Sequence, residues 1–163
     1  MSTRCLTHIE NERGKIICTV YRQNDGNPGA HGRALAKFLQ GMAITNGIRK
    51  DRPPRSACGM GCLAAQLITV LKQQGVEVDD GDDGDDGDDL IRVVGLDEPQ
   101  IGEIFLYPPG SEGHGEEYIY TVYPKPVGES SDTEPLLRCE TPDPDGECLF
   151  DGTPDDFLED AWV

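Results

Sequence analysis

Residues 56–75 read SACGMGCLAAQLITVLKQQG, and the fold is built around them. Met60, Leu63, Ala64, Leu67, Ile68 and Leu71 recur at the spacing of one apolar helical face, which predicts a helix buried along that stripe. Ser56 is a suitable N-cap, and Gly75 suits the position just past the C-terminus. Gly59 and Gly61 fall in the first turn, where each costs about 1 kcal/mol of helix propensity relative to alanine. Glycine at that cost implies close approach of another backbone or of a ligand to the helix start.

Upstream, TRCLTHIE at 3–10 and KIICTVYR at 15–22 alternate as strands do, with a polar turn at 11–14. Asp25-Gly26-Asn27-Pro28-Gly29 is turn chemistry, and a helix should follow from about Ala30 to Gln40, with Leu35, Phe38, Leu39 and Met42 on its apolar side. Residues 45–54 form a polar connection closed by two prolines. Downstream, GEIFLY at 102–107 and EEYIYTVY at 116–123 are the clearest strands, joined by the loop PPGSEGHG, and 90–96 is a further short strand. Alternation places Tyr118 and Tyr120 on one face and Tyr123 on the other. Residues 136–141 and 147–151 form a last hairpin. A loop at 142–145 would set Cys139 opposite Cys148 and Leu137 opposite Phe150, on one buried face. Thr153-Pro154-Asp155-Asp156 opens a short C-terminal helix with threonine as N-cap and acids at the positive dipole end. This order predicts a single α+β domain: an antiparallel sheet with two main helices on one face and a short C-terminal helix.

The chain is 163 residues long with a net charge of −17. Such a charge excludes nonspecific nucleic-acid binding, which needs a basic surface, and suits a solvated acidic exterior, a salty medium or a basic partner. Residues 76–89, VEVDDGDDGDDGDD, cannot build a core and read as a disordered insert at about 77–89. Removing its eight aspartates from −17 leaves −9, so the remainder is acidic too. Its Asp-Asp-Gly period puts glycine where a calcium loop needs an oxygen ligand, so it is not an EF-hand. No apolar run is long enough to span a bilayer, and MSTRCLTHIENE lacks a secretion-signal core, so a cytoplasmic chain off the membrane is expected. Six cysteines in that setting are reduced thiols, and Cys58 with Cys62 has helical rather than zinc-knuckle spacing, so no metal or cofactor is expected.

Several of these segments together carry a resemblance. YR-x-x-DG-x-P-x-x-HG-x-x-LA-x-FL at 21–39, GMGCLAAQLI at 59–68, IFLYPPG at 104–110, EEYIYTVY at 116–123 and LFDGTPDDFL at 149–158 resemble a family of small uncharacterised proteins encoded by bacteriophages, other viruses and some bacteria. The chain departs from that pattern at Cys58, where the family pattern has asparagine. The resemblance implies a viral or prophage setting, hence the host cytoplasm, and no particular activity.

Two constellations carry chemistry. Arg49, Lys50, Arg52 and Arg55 are four of only fourteen basic residues, and they lead into the helix start at Ser56 and Gly59. Free N–H groups, the helix dipole and nearby cations make an anion site there, without a P-loop spacing, and Arg22 and His31 add polar groups after the first turn. The alternative is that these cations only pair with surface carboxylates. Cys58 as nucleophile, His31 as base and Asp25 as its orienting acid form a writable triad for a hydrolase or transferase. An inert Cys58 beside a turn stabilised by Asp25 and His31 is the favoured reading of the same residues. Three functions follow: a non-enzymatic accessory protein binding a small anionic ligand, such as a nucleotide, or a host protein; a thiol-dependent enzyme using Cys58; and an acidic protein-interaction module.

The insert should be dispensable, because loop length enters closure entropy only logarithmically, at about 0.6 kcal/mol per doubling. Replacing residues 79–89 by a short Gly/Ser link is expected to leave the melting temperature within about 2 °C, and a large loss would make the tract structural.

Overall fold

The two N-terminal strands form as their alternation requires: β1 (Cys5–Glu10) pairs antiparallel with β2 (Ile16–Arg22). Asn11 fastens the turn, its side-chain oxygen accepting from the N–H groups of Arg13 and Lys15 at 2.9 and 3.0 Å. A computed structural model describes residues 2–47, 50–73, 104–126, 132–142, 144 and 146–160. The acidic insert, the expected strand at 90–96 and the expected cap at Gly75 lie outside the described residues.

After β2 the chain turns through Asp25, in the left-handed region at φ 56°, into a π-helical turn at Pro28–Gly32. Asn27 caps this turn by accepting from Ala30 N at 3.0 Å, and the helix α1 (Arg33–Leu39) continues from it. The helix expected from Ala30 is therefore a wide turn followed by a shorter α-helix. Two three-residue strands come next, β3 (Ala43–Thr45) and β4 (Ser56–Cys58), paired parallel with each other. Ser56 thus lies in a strand and does not cap the central helix, α2 (Gly59–Lys72), which starts after Cys58 with no side-chain cap from that residue.

The second half adds β5 (Ile104–Tyr107), β6 (Tyr118–Pro124), β7 (Pro135–Glu140), β8 (Cys148–Gly152) and the helix α3 (Pro154–Glu159). Thr153 caps α3 as expected, accepting from Asp156 N at 3.2 Å. The main sheet runs β5-β2-β1-β6-β7-β8. The protein is a single α+β domain with two main helices and a short C-terminal one. Its sheet is mixed rather than wholly antiparallel, because β1 and β6 pair parallel at its centre. Hairpin logic sees local pairs, whereas this pair joins the two halves of the chain.

The last hairpin also differs from its expected register. Cys139 stands opposite Phe150, Leu137 opposite Gly152 and Glu140 opposite Cys148, with the register shifting between Cys139 and Glu140. That irregularity breaks a count made from the loop alone. Cys139 is buried and Cys148 exposed, and all six cysteines are free thiols.

One sheet face carries Cys5, Ile9, Val20, Tyr120, Val122, Leu137 and Cys139, and the helices close over it with Leu35, Leu39, Met60, Leu63, Leu67 and Phe157. The α2 residues buried there are five of the six read from the periodicity, Ile68 being half-buried. Tyr120 points into this core and donates its hydroxyl to Gly26 O at 2.9 Å. Close approach explains two glycines. A Cβ on Gly32 would lie 2.6 Å from the Phe157 ring, and one on Gly26 would lie 2.8 Å from the β1 backbone. Gly32→Ala should cost about 1–3 kcal/mol by overpacking. Gly26→Ala, whose obstacle is backbone rather than a side chain, should cost at least as much, and urea midpoints for both variants check the order.

Candidate functional site

A cleft of about 310 Å³ opens where β3, β4 and α2 meet, lined by Glu12, Thr45, Asn46, Gly47, Cys58 and Gly59, with Ile44 and Thr133 at its base. Parallel pairing of β3 and β4 puts Thr45 beside Cys58 at one end, so the loop leaving Thr45 and the start of α2 share the rim. Thr133 reaches the base through a two-way backbone bridge to Ile44, at 2.7 and 3.0 Å. Gly59 takes φ +76°, a conformation costly for any other residue, and a Cβ there would meet Glu12 Oε1 at 3.2 Å. A group does come close to the helix start at Gly59, but it is a side chain rather than the backbone or ligand expected. At Gly61 a Cβ would meet nothing within 4 Å.

The group that approaches is a carboxylate of the chain itself. Glu12, from the β1–β2 turn, accepts from Met60 N at 2.9 Å. It satisfies one of the unpaired N–H groups of α2 and sets a negative charge at the positive dipole end. Sequence reasoning missed Glu12 because it lies 48 residues from Met60, and a glutamate in a polar turn carries no signal of its distant contact.

None of the described members of the predicted cationic set lines the cleft at this start. Arg55 donates to Phe38 O at 2.8 Å and to Lys37 O at 3.5 Å, so its guanidinium caps the C-terminus of α1. It stands at the Ser56 end of β4, and Cys58 and Gly59 lie at the other. Lys50 and Arg52 are exposed in the connection, and Arg49 lies outside the described residues. Ser56 is half-buried, its carbonyl accepting from Gln66 Nε2 at 3.3 Å.

Arg22 and His31 meet elsewhere, beneath the π-helical turn. Arg22, which can only donate, gives Nη1–H to His31 Nδ1 at 3.3 Å and Nε–H to Asn24 O at 2.6 Å. With Nδ1 accepting, His31 carries its proton on Nε2 and donates it to Thr7 Oγ1 at 2.8 Å. The ring is fully buried, edge-on to Tyr120 at 5.2 Å. Its hydrogen bonds go to neither Asp25 nor Cys58. Asp25 is exposed in the turn, and Cys58 is exposed in a cleft whose lining holds no histidine. His31 works as a tie between the turn and β1.

The sheet face away from the helices holds a second polar system. His8 is buried on β1, its Nδ1 sharing a 2.9 Å hydrogen bond with Thr19 Oγ1, which also accepts from Gly110 N at 2.9 Å. The loop 108–117 closes over this face. Both Glu116 oxygens accept backbone N–H groups of that loop, from Gly113 at 2.8 Å and His114 at 2.7 Å. Burial alone would raise the Glu116 carboxyl, but its own backbone N–H, those two donors and the nearby His114 together outweigh it and hold it below the usual carboxylate range. The His114 ring lies on Tyr107 at 4.4 Å. Tyr107 stacks on Tyr21 at 5.3 Å and 13°, and Tyr21 meets Phe105 at 6.0 Å. This row runs along the sheet edge made by β5. Phe105 and Leu106 are the exposed large hydrophobic residues among those described, at 39% and 59%. The strand at 102–107 was legible in the sequence, but nothing there marked β5 as an edge.

Among the described residues no three His, Cys, Asp or Glu side chains converge as a metal site requires, and no helix is long and apolar enough to cross a membrane. No protein-family model, curated protein or solved structure matches the chain.

Burial, and then the Arg22 charge, lower the His31 pKa to about 3. An unfolded histidine titrates near 6.5. Between those values the unfolded chain binds a proton that the folded chain does not. This contribution to stability is therefore complete above about pH 6.5 and shrinks on acidification, by up to about 1.4 kcal/mol per pH unit. His8, lowered chiefly by burial, acts with the same sign. Urea midpoints should fall from pH 7 to pH 5 while NMR shows the His31 ring still neutral, and a ring that protonates near pH 6.5 would contradict this.

Proposed function

We propose that this chain is a non-enzymatic accessory protein that binds a basic protein partner, in the host cytoplasm of a phage or virus. The observation that carries this reading is the exposure of Phe105 and Leu106, which face opposite sides of the edge strand β5, in a chain of net charge −17. Large apolar residues left exposed on both faces of a sheet edge favour a macromolecular contact along that edge, and the charge favours a basic one and speeds its approach. The resemblance of 21–39, 59–68 and the later segments to phage and viral proteins supports the setting. A small anion such as a nucleotide fits less well. The start of α2 already holds the Glu12 carboxylate, and Arg55 is committed to α1.

A thiol-dependent hydrolase or transferase is the second reading, favoured by one observation: Cys58 is exposed in a cleft of substrate size. Against it, His31 is neutral, buried and tied to Thr7 and Arg22.

Calorimetric titration tests the reading with two panels: nucleotides, and peptides of equal length and graded charge. Peptide affinity should rise with positive charge and weaken as salt increases from 0.05 to about 0.3 M, while nucleotides give no heat. Nucleotide binding without peptide binding would overturn the proposal, and product formation abolished by Cys58→Ala would establish the second reading.

A further inference from the structure

Resting on that reading of a basic protein partner, we propose that β5 is the docking edge. It takes an extended segment of the partner as an added strand, whose arginine or lysine side chains lie over the exposed Phe105 ring. Among the described residues β5 has one neighbour, β2, with Tyr21 opposite Phe105 and Val20 opposite Leu106. Alternate residues of a strand send both N–H and C=O to the same side, so half of the β5 backbone groups face away from β2. The two sheet edges are unlike. β8 is guarded: its pairing carries a register shift, and Asp151 is engaged by Arg138 at 3.0 Å and by the Tyr123 hydroxyl. β5, Ile-Phe-Leu-Tyr, carries none of the lysines, prolines, inward charges or bulges that keep an edge from pairing.

The side chains define the occupant. An added strand would run about 4.8 Å from β5, bringing alternate residues within reach of Phe105 and Tyr107 on one face and of Leu106 on the other. The first face is aromatic and lies beside a loop bearing exposed Glu112 and Glu117. It suits a guanidinium or ammonium stacked on a ring with carboxylates nearby. The second face offers Leu106, 59% exposed, to an apolar residue. The segment that fits alternates cationic and apolar residues. A second copy of the chain fits poorly, because β5-to-β5 pairing would bring together two bodies of −17 each.

The probe is a ten-residue peptide alternating arginine and valine, titrated into the wild type, Phe105→Ala and Leu106→Ala, with melting curves to confirm folding. Each substitution should weaken binding about tenfold, as for residues central to an interface. Methylating the backbone nitrogens of one alternate set of peptide residues should abolish binding, and methylating the other set should spare it, because only one set faces β5. Amide shifts in labelled protein should centre on β5. Equal affinity for wild type and both variants, or indifference to either methylation, would overturn the edge while leaving the basic-partner reading intact. If no peptide of the graded charge series binds, that reading fails and the edge falls with it. A dimer dispersed by Leu106→Ala would reassign β5 to self-association and overturn the proposal as well.

Discussion

The parallel pairing of β1 with β6 is the constraint on which the rest depends. Cys5 faces Tyr118, Thr7 faces Tyr120 and Ile9 faces Val122, so the N-terminal strand lies beside one from the second half of the chain. A parallel pair admits no hairpin, and all that lies between must cross over and return. The crossover contains both main helices, and their apolar stripes close over one face of the sheet. With β2 on its other side, β1 becomes a central strand whose residues from Cys5 to Ile9 are all buried. Burial on both faces suits Cys5, Leu6 and Ile9 and is costly for Thr7 and His8 unless each is hydrogen-bonded. Thr7 bonds His31 on one face, and His8 bonds Thr19 through Nδ1 on the other, while its buried Nε2 has no hydrogen-bond partner among the described residues. Thr7 thereby anchors the turn at 24–32 directly, and His8 is linked to the loop at 108–117 through Thr19, which accepts from Gly110 N.

This division explains what was legible in the sequence. Elements made by local rules were readable: the β1–β2 hairpin from alternation and Asn11, the α2 stripe from its helical period, α3 from Thr153 and its acids. Tyr120 and Tyr123 fell on opposite faces because strand alternation is local too. Pairings between distant residues were not readable. The β1–β6 contact has no marker in either strand, and the placement of β5 at the edge depends on which side of β2 remains open. The three-residue strand at Ser56–Cys58 is too short for a period, so Ser56 passed for a cap. The shifted register at Cys139 defeated a count from the loop. At the candidate site, Gly59 announced that something approaches the helix start. That the visitor is Glu12 could be learned only from the fold.

His31 shows how the same residue types support opposite roles. Near a turn, with Asp25 and Arg22 close in sequence, it resembled a titrating group. Burial and a hydrogen bond from Arg22 instead hold it neutral, in one tautomer. A general base needs a pKa near the working pH and access to a proton, and His31 has neither. Its conformational value is high for the same reason: a buried, fully bonded ring accepts one arrangement of the turn.

The charges follow a consistent division of labour. Each helix end near an opposite charge has been supplied from within the chain: Glu12 at the start of α2, Asp155 and Asp156 in the first turn of α3, Arg55 at the end of α1. These are the places where a free anion or cation would otherwise find fixed partial charges. Filling them stabilises the fold and removes the usual anchors for a small charged ligand. What remains is an unbalanced excess of carboxylates, 31 acidic residues against 14 basic ones, whose field acts at long range and would favour a basic partner without fixing its position. Position requires short-range, directional groups, and β5 supplies them as backbone N–H and C=O beside exposed rings. In the complex we propose, recognition would therefore divide between an acidic field that chooses the class of partner and a sheet edge that sets its register.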